Sequence, residues 1–189
     1  MPSRTRRLST SILVATTLVL SAWRSEAGAD FEIGNRIPLT DVQSSTKRTD
    51  DKKTATVLFD NLVLELLPGK GAAAVSRVTS IVLPTAGDGS EVEIVLNVHG
   101  AAIRTEGATA TLLVRLPGRT ETVDLPTGQQ PADKETGFFH ELRLKLRAGQ
   151  SLPLSLVLLA ERDGGVEGAS ALLAVDSIEA ALWSEPAQQ

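Results

Sequence analysis

Cysteine and tyrosine are absent from this chain, and histidine occurs only twice. Without cysteine there is no disulfide, no cysteine-ligated zinc and no thiol nucleophile. With two histidines, any histidine-based catalytic triad or metal site rests on His99 and His140. Aromatic residues make up 3% of the chain, which leaves few rings to stack on a sugar face. No Gly-x-Ser-x-Gly elbow, His-Glu-x-x-His helix motif or phosphate-cradling glycine loop with lysine is present. None of Asn35, Asn61 and Asn97 lies in an Asn-x-Ser/Thr sequon. No uncharged apolar run reaches the ~20 residues of a membrane-spanning helix.

The longest apolar stretch, Leu8 to Ala22, follows a basic head of Arg4, Arg6 and Arg7. It is followed by Ser25-Glu26-Ala27, with small residues at the two positions a signal peptidase reads. This order predicts a cleaved export signal over residues 1–27. The protein is therefore expected to be secreted or periplasmic, with no membrane span after cleavage. Arg6-Arg7 leaves the choice between general secretory and twin-arginine export open. Cleavage after Ala27 removes four arginines and Glu26, taking Lys+Arg from 19 to 15 and Asp+Glu from 23 to 22; the net charge falls from −4 to −7. An acidic domain is a poor general partner for nucleic acid, whose affinity comes largely from phosphate neutralisation. A cysteine-free, sequon-free exported chain with 13 Arg against 6 Lys points to a bacterial source.

Downstream of the signal, residues 28–53 are mostly polar, and Gln43 to Lys53 has no apolar period. They read as a flexible lead-in, with one short strand within Asp30 to Ile37. From Thr54 onward period-2 alternation dominates, the pattern of strands with one buried face. Val92, Ile94, Leu96 and Val98 fall on one side of a strand, with Glu91, Glu93 and Asn97 on the other. Ala108, Ala110, Leu112, Val114 and Leu116 repeat the device, as do Leu142, Leu144 and Leu146 against Glu141, Arg143, Lys145 and Arg147. Thr54 to Phe59 runs through a bulge or bend at Asp60-Asn61 into Leu62 to Leu67. Leu152 to Ala160 is more continuously apolar and reads as a central strand. Pro126 to Gly137 reads as a polar loop, and Ala169 to Leu182 as a closing strand in preference to a helix. About eight strands separated by Pro-Gly and Gly-rich breaks predict an all-β fold: an antiparallel two-sheet β-sandwich over residues 54–183, with residues 184–189 as a tail.

Candidate chemistry is sparse. Glu91 and Glu93 share a strand face about 7 Å apart, a spacing open to glycosidase work but equally that of surface charge. A two-histidine metal site requires His99 and His140 to converge with a carboxylate. Asp50-Asp51, Asp60-Asn61, Asp88 to Glu91 and Asp163 offer hard oxygens for calcium, although turn chemistry alone places Asp and Asn there. Of the adjacent Phe138 and Phe139, one must face outward. With the basic row Arg143, Lys145 and Arg147 they form the candidate partner contact.

Three short stretches carry a family resemblance: Thr56-Val57-Leu58-Phe59-Asp60-Asn61-Leu62, Asn97-Val98-His99-Gly100 and Glu106-Gly107-Ala108-Thr109-Ala110. Through them Thr54 to Leu182 resembles a family of small secreted proteins of fungi and bacteria known only as a domain of unknown function. This chain lacks that family's cysteines. The resemblance implies a secreted β-sandwich and transfers no catalytic residue.

The sequence therefore predicts an exported binding or structural protein without catalytic residues or a required cofactor, directed at a protein or envelope partner. A calcium- or glycan-binding module and a hydrolase with an unrecognised site are the alternatives.

Overall fold

The computed structural model describes residues 31–69, 72–126, 136–164 and 166–183. The export head and the tail at 184–189 lie outside the described residues. Among the described residues thirteen strands follow one another: β1 (Glu32–Ile33), β2 (Ile37–Pro38), β3 (Ser44–Arg48), β4 (Thr54–Phe59), β5 (Val63–Leu66), β6 (Ala74–Leu83), β7 (Thr85–Ala86), β8 (Glu91–Arg104), β9 (Ala108–Leu116), β10 (Arg119–Val123), β11 (Thr136–Arg147), β12 (Leu152–Arg162) and β13 (Ala171–Leu182). The all-β expectation holds. The count exceeds eight because short two-residue strands carry no alternation to read and because β4 and β5 are separate elements.

Two antiparallel sheets face each other. The five-stranded sheet has the order β10-β9-β12-β6-β2, and the six-stranded sheet the order β11-β8-β13-β4-β3. β1 and β7 form a small ribbon of their own. β12 lies centrally between β6 and β9, as its continuous apolar run requires. β11, β12 and β13 alternate between the sheets, so the connections between them cross from one sheet of the sandwich to the other.

Alternation decides which side chains form that core. Leu112, Leu156, Leu158, Ile81 and Leu83 come from one sheet, and Ile94, Leu96, Val98, Leu173 and Ile178 from the other; all are buried. Each such side chain contributes about 1.5–3 kcal/mol by leaving water. Thr79 is the one buried polar residue among those described, and its hydroxyl is satisfied by Thr40 Oγ1 at 2.8 Å.

β13 shows how local irregularity is shared. Its pairing with β8 shifts between Val175 and Ser177. On its other side β4 pairs Ser177 to Ala181 and β5 pairs Ala171 to Ala174. The bend at Asp60-Asn61 thus sits opposite the bulge at Asp176, and Val175 N–H donates to the Leu62 carbonyl across it at 3.0 Å. Pairing with β8, β4 and β5 makes the closing segment a strand from Ala171 to Leu182.

The polar lead-in is a correction. Phe31 and Ile33 are each 1% exposed and belong to the core. Ile33 N–H donates to the Lys52 carbonyl and Gly34 N–H to the Pro84 carbonyl, both at 2.8 Å. Ser44–Arg48 is a five-residue edge strand paired to β4. It escapes a periodicity test because an edge strand can be held by backbone hydrogen bonds while its side chains stay in water. The predicted polar loop is also shorter at its end, since β11 begins at Thr136; residues 127–135 lie outside the described residues.

Candidate functional site

Several of the residues singled out from the sequence, Phe139, Arg143, Lys145, Arg147, His99, Glu91 and Glu93, lie on the solvent-facing side of the six-stranded sheet. Register places them in rows across β11, β8 and β13. Phe139 lies opposite His99, and His99 opposite Ser177. One step along, Glu141 faces Asn97 and Asn97 faces Glu179. Next come Arg143, Val95 and Ala181, then Lys145 and Glu93, and finally Arg147 and Glu91. Trp183 N–H donates to the Glu93 carbonyl at 2.8 Å, which brings Trp183 to the end of the same face.

The side chains in these rows are linked. His99 and Phe139 meet edge to face with ring centroids 5.1 Å apart, a geometry that aligns a ring edge with a π face. The Arg143 guanidinium lies 3.9 Å from the Trp183 ring centroid, and its Nε donates to Glu141 Oε1 at 2.9 Å. Lys145 pairs with Glu91 at 3.3 Å. Asn97 Nδ2 donates to Glu179 Oε1 at 3.4 Å. The ion pairs are exposed and contribute little to stability; their effect is to hold long side chains in place over a rigid sheet.

Phe139, Arg143, Lys145 and Arg147 therefore share one exposed face, as the alternation predicts. Phe138 does not. It is 7% exposed and its ring packs against Gly100 in the interior, whereas Phe139 is 57% exposed. Removing Phe138 from the contact set is a correction, and its cause is the parity of the strand. Trp183, His99, Asn97 and Glu179 belong to the face but were missing from the candidate set. Their adjacency to β11 depends on strand order, which no local pattern encodes; His99 and Asn97 had only the weak signal of outward parity.

The two histidines point to opposite sides of their sheet. His99 lies in register with the outward Phe139, while His140 lies in register with the inward Val98. They do not converge, so a shared metal site is excluded by geometry. Glu91 and Glu93 do share the outer face, but Glu91 is engaged by Lys145. The loop carboxylates are spread over separate turns, and among the described residues no group of three or more His, Cys, Asp or Glu could hold a metal ion. Two of these carboxylates act within their own turns. Asp51 Oδ1 accepts from the Thr49 hydroxyl at 2.6 Å and from Lys53 N–H at 3.0 Å. These bonds, the Thr49 hydroxyl foremost, hold its carboxyl below the ordinary aspartate value. Ser90 lowers Asp88 in the same way, with its N–H 2.9 Å from Asp88 Oδ1.

A second opening lies at the seam between the sheets. It is a groove of about 200 Å³ floored by Leu116, Leu144, Leu146 and Leu152 and rimmed by Arg119 and Lys145. There Arg119 Nη2 donates to the Arg143 carbonyl at 2.8 Å.

No protein-family model matches the chain, and no curated protein matches it. Solved structures that align with the chain include the mosquito-larvicidal Cry4Aa toxin from Bacillus thuringiensis, at 11% identity and a TM-score of 0.35 over 79% of this chain and 23% of the toxin. The C-terminal CBM6 module of a marine laminarinase from Zobellia galactanivorans aligns at 8% identity and a TM-score of 0.31, over 79% of this chain and 99% of the module. A protein of infectious bursal disease virus, Gx strain, aligns at 11% identity and a TM-score of 0.38, over 97% of this chain and 55% of the viral chain. The chain spans about a quarter of the toxin's length and about half of the viral protein's. At this degree of overlap the likenesses assign no ligand or activity.

Proposed function

We propose that this protein is an exported, non-catalytic binding module that engages a protein partner of the cell envelope through the outer face of its six-stranded sheet. The observation that carries this reading is a pair of contacts on one face, Phe139 against His99 and Arg143 over Trp183. Aromatic rings and arginine are the residues that dominate binding energy at protein interfaces. Here they stand on a regular antiparallel sheet, so little ordering is required on contact. The basic head, apolar stretch and small-residue exit of residues 1–27 support export. The short sequence resemblance to a secreted family of unknown function agrees with that location and adds no chemistry.

The reading is tested by capture from the envelope fraction of the source with the wild-type protein, with Phe139→Ala and Trp183→Ala, and with Thr122→Ala on the other sheet. The two face variants should each weaken capture of the same partner by about tenfold or more, and Thr122→Ala should leave it unchanged. Equal capture by all four proteins would refute the assignment of this face. A glycan is the competing ligand, because Trp183 shares the outer face with Glu93 and with the Asn97–Glu179 pair. Titration with a panel of soluble oligosaccharides, read by calorimetry and compared with Trp183→Phe, separates the two. A saturable change that vanishes in Trp183→Phe would replace the protein partner by a sugar.

A further inference from the structure

The strand that closes the six-stranded sheet, β11, is hydrogen-bonded to β8 and, among the described residues, to no strand on its other side. An open edge is normally kept short, broken by proline or a bulge, or lined with charges that repel a second copy. β11 runs for 12 residues, contains no proline and pairs with β8 without a register shift.

The direction of its free backbone groups follows from two contacts. Ala148 N–H donates to the Ser90 carbonyl, and Trp183 N–H to the Glu93 carbonyl. Even-numbered residues of β8 and of β11 therefore turn their backbone groups toward each other, since N–H and C=O of one residue point to one side and the sides alternate. The odd residues Phe139, Glu141, Arg143, Lys145 and Arg147 turn theirs to the open edge. The Arg119 guanidinium reaching the Arg143 carbonyl from outside agrees. A carbonyl oxygen has two lone pairs, so that contact leaves room for a second donor.

We propose that a second copy of this chain pairs with β11 edge to edge, antiparallel, about a two-fold axis through Leu142. The charges select the register. Seam hydrogen bonds must join odd residues to odd residues, which restricts the axis to whole residues. With the axis at Leu142, Glu141 faces the partner subunit's Arg143, Arg143 faces the partner subunit's Glu141, and Phe139 faces the partner subunit's Lys145. Moving the axis to Glu141 or to Arg143 sets a charge against its own copy. Moving it to Leu144 sets Arg143 against the partner subunit's Lys145. At Leu142 the existing Glu141–Arg143 pair within one strand and its symmetry mate form a closed square of alternating sign. Directly opposed side chains in such a pair stand ~4.5–5.5 Å apart at Cβ. The edge that looks protected by charge is thus complementary to itself in one register. Beside Leu144 and Leu146 the strand borders a groove, with Arg119 reaching in from its rim. A closed two-fold pairing consumes the free edge and stops at two copies.

The inference is independent of the ligand of the sheet face, and oligomeric mass tests it. Sedimentation equilibrium of the full chain from micromolar to millimolar concentration should show reversible monomer–dimer exchange. Glu141→Arg and Arg143→Glu each turn two attractive pairs into two repulsive ones and should weaken dimerisation on the order of tenfold. The double variant Glu141→Arg/Arg143→Glu restores both pairs and should recover wild-type dimerisation to within about threefold. Circular dichroism confirms that each variant is folded, since both side chains are solvent-facing. A monomeric mass at all concentrations overturns the proposal. So do a dimer indifferent to the single swaps and a folded double variant that stays monomeric.

Discussion

Gly100 is the position where one added methyl group should do the most damage. It lies in β8 at the inward face, in register with Phe138 on one side and Val175 on the other. A Cβ there would stand 2.2 Å from the Ala174 carbonyl oxygen and 2.6 Å from the Phe138 ring. Ordinary contact needs more than a further ångström against that carbonyl. The carbonyl cannot yield alone, because it belongs to β13 at the bulge that matches the Asp60-Asn61 bend. The ring can move only by giving up its burial. Overpacking of this kind costs about 1–3 kcal/mol and more when backbone is forced to shift, so Gly100→Ala should lose about 3 kcal/mol. For a domain of this size that lowers Tm by roughly 6–12 °C. Gly137→Ala is the control: it lies on β11 beside the same site, and its nearest neighbour would be the Gly100 carbonyl oxygen at 3.8 Å. That variant should stay within about 0.5 kcal/mol of wild type. Thermal and urea melts of the two variants decide the matter. Equal stability would refute the packing of Phe138 over Gly100 and the tightness of the bulge.

Two further tests concern segments that look dispensable in the sequence. Phe31→Ala should cost about 3–5 kcal/mol in urea unfolding, because the ring is almost completely buried at the end of the core; a loss below about 1 kcal/mol would restore the lead-in to a passive role. Acid should weaken the turns at Asp51 and Asp88. Both carboxyls are held below their ordinary value by turn hydrogen bonds. Their contribution is present above the unfolded-state value near pH 4 and is lost as pH falls through the folded-state value. Melts from pH 6 down to 3 should show a decline below about pH 4 that is shallower in Asp51→Ala/Asp88→Ala. An unchanged slope would show that neither turn depends on its carboxylate.

Much of the fold was legible because alternation is local. In β8, β9 and β11 the residue before and the residue after suffice to say which side faces the core, since successive side chains leave a strand on opposite sides. Phe138 inside and Phe139 outside follow from the same rule once Leu142, Leu144 and Leu146 are taken as buried. The bend at Asp60-Asn61 was legible as an interruption of that rhythm. β3 was not, because Ser44 to Arg48 is held by backbone hydrogen bonds to β4 while its side chains remain largely in water. Phe31 and Ile33 were not, because two isolated apolar residues in a polar stretch show no period.

The sequence by itself determined that this is an all-β chain, which faces of its long strands are apolar, and that the exposed row of β11 carries one ring and three cations. Its lack of cysteine and scarcity of histidine remove whole classes of chemistry. Tertiary structure decided which strands are neighbours. It set β8 between β11 and β13, brought Trp183 beneath Arg143 and His99 against Phe139, and sent the two histidines to opposite sides of one sheet. The physical reason is that side-chain direction depends on the adjacent peptide units, whereas strand order depends on how all the apolar faces are buried together.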